Sequence, residues 1–379
     1  MNKHTIRGLI FISNVQKALE HEWFCESVDK KEMKLEFVLF NSKDSDLYKF
    51  IIARGFKCSN YTLQSKFFIP FYIVYFFLKM LFNRYNFVHC HLFEASLVGL
   101  ISARFAAIKK RIYTRHHSDF HHVYFPNAIK YDLLINKFST HIIAVSDVVK
   151  RILVEQEHVN PHKIKVIEHA VNLSMFSKSN IGNKRIDLLK QKYGISENAK
   201  VIGVISRFTV WKGVQFIIPA FKEYLKSYPN SVLVLANANG EYKAEILALL
   251  NDLNETSYRL ISFESDSAAL FQLFDFFVHV PVSPSVEAFG QVYIEAMASH
   301  IPCVFTKSGI GNRVLEDGSN CLIANYSDSK TILNALLKLS SDQALVSEIV
   351  ANAFKTVESN FSIEQKNQHI FNIYRQKNR

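Results

Sequence analysis

The chain has few of the features that would tie it to a special environment. Its five cysteines (Cys25, Cys58, Cys90, Cys303 and Cys321) are scattered, with no CxxC pair. That argues against a disulfide framework and a zinc ribbon, and for a reducing compartment. No GxGxxG follows the first strand of either half, which weighs against a nicotinamide-dependent enzyme, and the zinc-helix pattern HExxH is missing. The first apolar run, GLIFI, is too short for a signal-peptide core. The longest uncharged apolar run, Phe67 to Leu78, is 12 residues, whereas a membrane span needs about 20. No short-period repeat or low-complexity tract is visible. These absences point to a cytoplasmic protein.

What is present is a long alternation. At 379 residues with 49% apolar composition, the chain exceeds one ordinary core, and two domains of similar size are expected. Strand-like runs (IRGLIFIS, KLEFVLF, FVHCH, RIYTRH, HIIAVS) alternate with helical patterns up to the polar stretch SKSNIGNKR at 177–185. The alternation then restarts with KVIGVIS, SVLVLAN, RLISF, FFVHV, PCVFT and CLIA. Strands alternating with helices give parallel sheets covered on both faces. The expected fold is therefore α/β, two Rossmann-like doubly wound domains facing a cleft. Expected bounds are 1–180 for the first domain and 181–360 for the second. A final helix at 361–379 is expected to pack back on the first.

Charge is uneven. Residues 1–185 carry 27 Lys and Arg against 15 Asp and Glu, a net of +12, and the remainder carries 18 against 19, a net of −1. The basic half also holds the aromatic segment LQSKFFIPFYIVYFFLKMLFNRY (63–85). This reads as a buried helix by default, or as an interfacial one with Lys66, Lys79 and Arg84 reaching lipid headgroups. The basic excess favours contact with an anionic membrane.

The most informative pattern is EAFGQVYIEAMA, with Glu287 and Glu295 eight apart after a Pro/Ser-rich turn. On one helix they would share a face about 12 Å apart. That separation suits a long hydroxyl-rich ligand and is too wide for a shared proton or metal ion. Among so many apolar neighbours, two carboxylates need partners. Arg207 ends the strand KVIGVIS and Lys212 precedes Gly213 and a helix. Two cations facing a helix start make a phosphate site.

These segments, VISRFTVWKGVQFIIPAF, EAFGQVYIEAMA and GIGNRVLEDGSNCLI, resemble the donor-binding half of glycosyltransferase family 4. The segment AVSDVVKRILVEQEHVNPHKIKVIEHAVNLSMF is similar to the family's inter-domain connection, and VHCHLF and YTRHHSD more loosely to strand ends of its first domain. The resemblance implies a GT-B architecture and a retaining, nucleotide-sugar-dependent transferase. It assigns Arg207 and Lys212 to the donor diphosphate, Glu295 to the ribose hydroxyls and Glu287 to the transferred sugar. Phe289 and Gly290 would supply backbone N–H donors. The chain departs from the family where SNVQKALEHEW replaces a glycine-rich loop. It also departs at His169-Ala170 (commonly Asn-Gly), Asn172 (commonly Asp) and Cys321 (usually Gly).

The first half is rich in histidine: His89, His91, His116, His117, His121 and His122, with Asp119. Strand-end histidines lining a sugar and phosphate cleft is the preferred reading, with a zinc or dinuclear hydrolase centre as the rival. The resemblance puts His116 beside the reacting sugar, with His117, Asp119, His89 and His91 as weaker acceptor-side candidates. The run KKRIYTR (109–115) is equally a contact for acceptor phosphates or a solvated surface. The expected function is a retaining glycosyltransferase moving a hexose or N-acetylhexosamine from a nucleotide-sugar, UDP- or GDP-linked, to a glycan or polyprenyl-linked glycan acceptor. It would serve lipid-linked or surface-polysaccharide synthesis such as lipopolysaccharide, peripheral at the inner face of the cell membrane. No cofactor, metal or nucleic acid is expected. The alternatives are a metal-dependent hydrolase or a sugar-nucleotide epimerase or binder on the same scaffold.

Overall fold

A computed structural model describes residues 5–63 and 65–376. The expected chain ends at 1–4 and 377–379, and the Lys66 side chain, lie outside what is described. The chain divides into two compact units, one running to His169 and including the segment from Ile363, the other Ala170–Ser362. The first unit thus ends before the expected boundary at 180. The polar stretch 177–185 lies inside the second unit, where it starts the helix Asn183–Tyr193.

The first unit is a seven-stranded sheet of β1 (Ile6–Ser13), β2 (Met33–Phe40), β3 (Lys57–Tyr61), β4 (Phe87–His91), β5 (Lys110–Arg115), β6 (His141–Ala144) and β7 (Ile164–Val166). Its order is β3-β2-β1-β4-β5-β6-β7 and every pairing is parallel. The core on one face joins Ile10, Phe37, Leu39 and Phe87 to Ile370, Phe371 and Tyr374 of the helix Ile363–Arg375. Tyr374 stacks on Phe87 with ring centroids 3.9 Å apart. Hydrophobic periodicity did not reveal β3 or β7, because both are short and only half-buried.

The helix Ile69–Asn83 corrects the default reading of segment 63–85. Phe76 and Met80 face inward, while most of its other large apolar side chains are exposed. Among the described residues, no helix is long and apolar enough to cross a membrane.

The second unit is a six-stranded parallel sheet of β8 (Lys200–Ile205), β9 (Ser231–Ala236), β10 (Tyr258–Ile261), β11 (Phe276–His279), β12 (Cys303–Phe305) and β13 (Leu322–Ile323), in the order β10-β9-β8-β11-β12-β13. β9 and β11 are buried along their whole length, as sheets covered on both faces require. In each unit the strand order reverses beside the first strand, between β1 and β4 and between β8 and β11. A doubly wound sheet leaves its ligand crevice there, beyond the strands' carboxyl ends.

Candidate functional site

Several helices in this protein start on a conventional side-chain cap. Ser45, Ser146, Asp266, Asp328 and Asp342 each accept a backbone N–H from the following turn. Such a cap satisfies donors that a helix start leaves open. The two helices that follow β8 and β11 start instead on a left-handed glycine. Val214–Ser227 starts on Gly213 and Gln291–Ala298 on Gly290, both with left-handed backbone and neither with a side-chain cap. Gly213 is obligatory, since at φ +75° an added Cβ would lie 1.9 Å from the Val280 carbonyl oxygen. The switch point of the second sheet therefore presents two helix N-termini without side-chain caps, which favours anions.

The charged side chains gather at the same place. Lys212, on the turn Val210–Lys212 after β8, meets Glu287, in the loop after β11, with Nζ 2.5 Å from Oε1. His279, the last residue of β11, donates from Nε2 to the same oxygen at 3.1 Å. Glu287 N–H donates to Ser308 Oγ at 3.1 Å, and Ile310 N–H to the Phe289 carbonyl at 2.8 Å, fastening the loop from two sides. Burial pushes the Glu287 carboxyl up, but the Lys212 charge and the His279 hydrogen bond outweigh it, so its pKa falls well below the carboxylate range. Burial lowers His279 against the pull of Glu287, and its Nδ1 is buried without a hydrogen bond among the described residues. His279 was hidden in the sequence inside the apolar run FFVHV. A lone histidine at a strand's last position is the only signal that could have marked it.

One expectation fails here. Glu287 and Glu295 are not on one helix face. The helix begins only at Gln291, and Glu287 lies in the irregular loop four residues earlier. Gly290, at φ +88°, breaks any continuation. Glu295 sits inside the helix, partly buried, and burial raises its carboxyl to about 7, opposed only by a hydrogen bond from Gln291. It forms no ion pair among the described residues. Gln291 is itself oriented by donating to the Ala170 carbonyl at 3.0 Å. Arg207 lies two residues beyond the end of β8, is exposed, and has no ion-pair partner among the described residues. Phe289 is buried beside Phe361, with ring centroids 5.9 Å apart.

In the first unit the histidines separate into two groups. His89 is held through both ring nitrogens, by Tyr374 Oη at 2.6 Å and Thr114 Oγ1 at 2.7 Å, which leaves no lone pair for a metal. His91 Nδ1 lies 3.0 Å from His116 Nε2, and His116 stacks on His169 at 5.6 Å. With His21, Glu20 and Lys366, these side chains line a small cavity of about 30 Å³, room for a water or two. Glu20 bonds both His169 and Lys366. Burial lowers all five histidines, His21 and His169 to about 4, His89 to about 3, and His91 and His116 well below their ordinary value. They are neutral imidazoles at pH 7.

His117, His121 and His122 turn instead towards buried carboxylates. Arg115, fully buried, pairs with Asp132 at 3.2 Å and Glu157 at 2.6 Å. His117 and His121 contact Asp132 at 3.2 and 2.7 Å, and His122 contacts Glu157 at 3.1 Å. Burial raises Asp132, but the His117 and His121 hydrogen bonds and the Arg115 charge bring it well below its usual range. Ligand atoms of His117, His121 and Asp132 lie within 4.8 Å of one another. The Arg115 guanidinium already supplies the positive charge that a metal would bring to that carboxylate. His117 is thus set apart from His116 despite its adjacency, and Asp119 lies at the start of the helix Phe120–Tyr124 without capping it.

The basic run 109–115 is largely spent internally, which removes the acceptor-phosphate reading for most of it. Lys110 donates to the Tyr374 carbonyl at 2.9 Å, Arg111 to the Phe138 carbonyl at 2.7 Å, and Arg115 is paired as above. The loop after β1 is built without glycine. Asn14 takes φ +57°, and Asn14 Nδ2 and Ser13 Oγ donate to Glu94 at 2.8 and 3.2 Å.

Known proteins match both halves. Residues 27–175 fit the description "Glycosyltransferase Family 4" and residues 185–356 "Glycosyl transferases group 1". The chain is 24% identical over 191 residues to an alpha-monoglucosyldiacylglycerol synthase of Acholeplasma laidlawii, covering 50% of this chain and 46% of that one, so it spans under half of that relative. It is 23% identical over 303 residues to an Escherichia coli UDP-Gal:alpha-D-GlcNAc-diphosphoundecaprenol alpha-1,3-galactosyltransferase, covering 77% and 76%. Its fold matches the Anabaena protein HepE, crystallised with UDP-glucose, at a TM-score of 0.83 and 20% identity over 97% of this chain and 98% of that one. That likeness gives the fold as GT-B. With the family's pattern running through both of its sheets, this enzyme is a glycosyltransferase and the chain belongs to glycosyltransferase family 4.

Proposed function

We propose that the enzyme moves a hexose or N-acetylhexosamine, with retention of configuration, from a UDP- or GDP-linked donor to a lipid-linked or surface-polysaccharide acceptor at an anionic membrane. The observation that carries the donor side is the meeting of Lys212 and Glu287 where β8 and β11 diverge. A diphosphate arriving there gains Arg207, Lys212 and the two glycine-started helix N-termini. As the nucleoside diphosphate departs, negative charge grows on the leaving oxygen, and fixed cations stabilise that state most. Lys212 is already oriented by Glu287, so little reorganisation is needed. Glu287 is kept ionised by Lys212 and His279 and can accept a sugar hydroxyl. Glu295, without a cation, is suited to ribose hydroxyls.

On the acceptor side, the neutral imidazole of His116, positioned by His91 and His169, can orient a hydroxyl. Two of the relatives are named for lipid-borne sugars, one for the monoglucosyldiacylglycerol it makes and one for a diphosphoundecaprenol-linked acceptor, which supports a lipid acceptor. The proposal needs no metal, because Arg207 and Lys212 provide the positive charge.

Thermal unfolding with UDP, GDP, ADP, TDP or CMP, with and without EDTA, tests this reading. One nucleoside diphosphate at 100 times its dissociation constant should add about 2.7 kcal/mol, unchanged by EDTA. Stabilisation that requires metal, or none by any nucleotide, would refute it.

A further inference from the structure

The helix Ile69–Asn83 is packed the wrong way round for a surface helix in water. Its inner face is complete: Phe76 is fully buried and edge-packed against Phe11, Phe40 and Tyr61, and Met80 is buried beside it in sequence order on the same face. Its outer face carries Phe71, Val74, Tyr75, Leu78, Leu81 and Phe82, each between 40% and 78% exposed. The steps 71, 74, 75, 78, 81 and 82 are those of one helical stripe. Phe67, in the turn before the helix, is 84% exposed and extends the stripe. Soluble surfaces scatter such residues singly, and a contiguous stripe marks an interaction site.

The surrounding charge indicates what covers it. From residue 47 to 118 the chain has eleven Lys and Arg and a single acid, Glu94. Some of those cations are spent internally, as Lys79 on Glu36 and Lys110 on backbone carbonyls. Arg84, at the end of the helix, and Arg104 and Lys109, at the end of the helix Phe93–Phe105 packed beside it, are exposed and unpaired among the described residues. Glu94 is occupied by Ser13 and Asn14. An apolar stripe flanked by cations with no free acid suits an anionic lipid surface. At 15 residues, about 22 Å of helix, it can lie along the headgroup–acyl boundary and cannot span it.

We propose that this stripe is the enzyme's membrane-docking face, laid in the plane of an anionic bilayer with Arg84, Arg104 and Lys109 on phosphate headgroups. The inference rests on the membrane-acceptor reading and names the element that makes the contact. It is tested by co-sedimentation of the full chain with vesicles of phosphatidylcholine alone or with 30 mol% phosphatidylglycerol. The variants are Phe71→Ser/Leu78→Ser/Phe82→Ser and Arg84→Gln/Arg104→Gln/Lys109→Gln. These side chains face solvent, so melting temperatures should match the wild type and confirm that both variants fold.

The expected result is wild-type binding that prefers phosphatidylglycerol, at least tenfold weaker in the serine variant, and a reduced salt dependence in the glutamine variant. A folded serine variant that binds as well as wild type overturns this docking face while leaving the membrane reading standing. Wild type that binds neither vesicle overturns both. A wild-type dimer in sedimentation that becomes monomeric in the serine variant, without vesicle binding, would make the stripe a contact between copies and overturn the lipid assignment.

Discussion

Glu295 gives the sharpest test of the nucleotide site, because its protonation and its proposed ligand oppose each other. Burial lifts the carboxyl to about 7, with only the Gln291 hydrogen bond acting against it. Ribose hydroxyls would donate to the carboxylate, so the ligand selects the ionised form. At pH 8 about 90% of the free protein holds that form, and at pH 5.5 about 3%. Nucleoside diphosphate affinity should therefore fall on the order of 30-fold between pH 8 and pH 5.5. The ligand's phosphate also titrates, so each value is divided by that of Glu295→Gln, which keeps the shape and cannot ionise. Calorimetric titrations with UDP or GDP at four pH values supply both series. The ligand-free protein carries a second mark. A folded-state pKa above the unfolded value costs stability as pH rises from 4.5 to about 7, so Glu295→Gln should stabilise the apoenzyme at pH 8 by about 3 kcal/mol. A pH-independent ratio of wild type to variant would refute the assignment. Tighter binding in acid would reverse its sign and refute it more directly.

Two further outcomes follow from the geometry. Arg207→Ala should lower turnover about 10²–10³-fold with no change in melting temperature, because its side chain is exposed. Lys212→Ala should lower turnover similarly and also cost about 3–5 kcal/mol by leaving the buried Glu287 carboxylate without its cation. Adding Glu287→Gln should restore stability but not turnover, and denaturant unfolding beside steady-state kinetics checks both. Acid should act first on the first unit. Its cavity histidines have folded pKa values below the unfolded 6.5, so the unfolded chain takes up protons that the native one refuses. Stability is then present above 6.5 and is lost as pH falls towards 4, about 1.4 kcal/mol per pH unit for each proton. Unfolding midpoints that are equal at pH 7.5 and 5.5 would show that the cavity does not hold them neutral.

Much of the architecture was legible because buried parallel strands leave long apolar runs. IRGLIFIS, FVHCH and SVLVLAN each became a strand within a residue or two of its expected bounds. The strands β3 and β7 were not legible, since KCSNY and IKV are short edge segments, neither with a fully buried residue and neither with a long apolar run. The Lys-Gly pair at 212–213 could be read as a strand-to-helix turn, and the backbone explains the glycine. The reach of Lys212 to Glu287 could not be read, because it crosses between loops after two strands 75 positions apart.

The sequence by itself determined the fold class and the family and marked the residue types of the proposed donor site, because those depend on local patterns of apolar, glycine and charged residues. Only the tertiary structure decided which neighbours each charge meets. It separated His116 from His117, which alternate sides at a strand end and so enter different networks. It drew Lys110, Arg111 and Arg115 into the interior, and placed His279 against Glu287. It also turned an aromatic helix outward, because whether an all-apolar helix is covered depends on how many elements lie over it, and no periodicity within the helix records that.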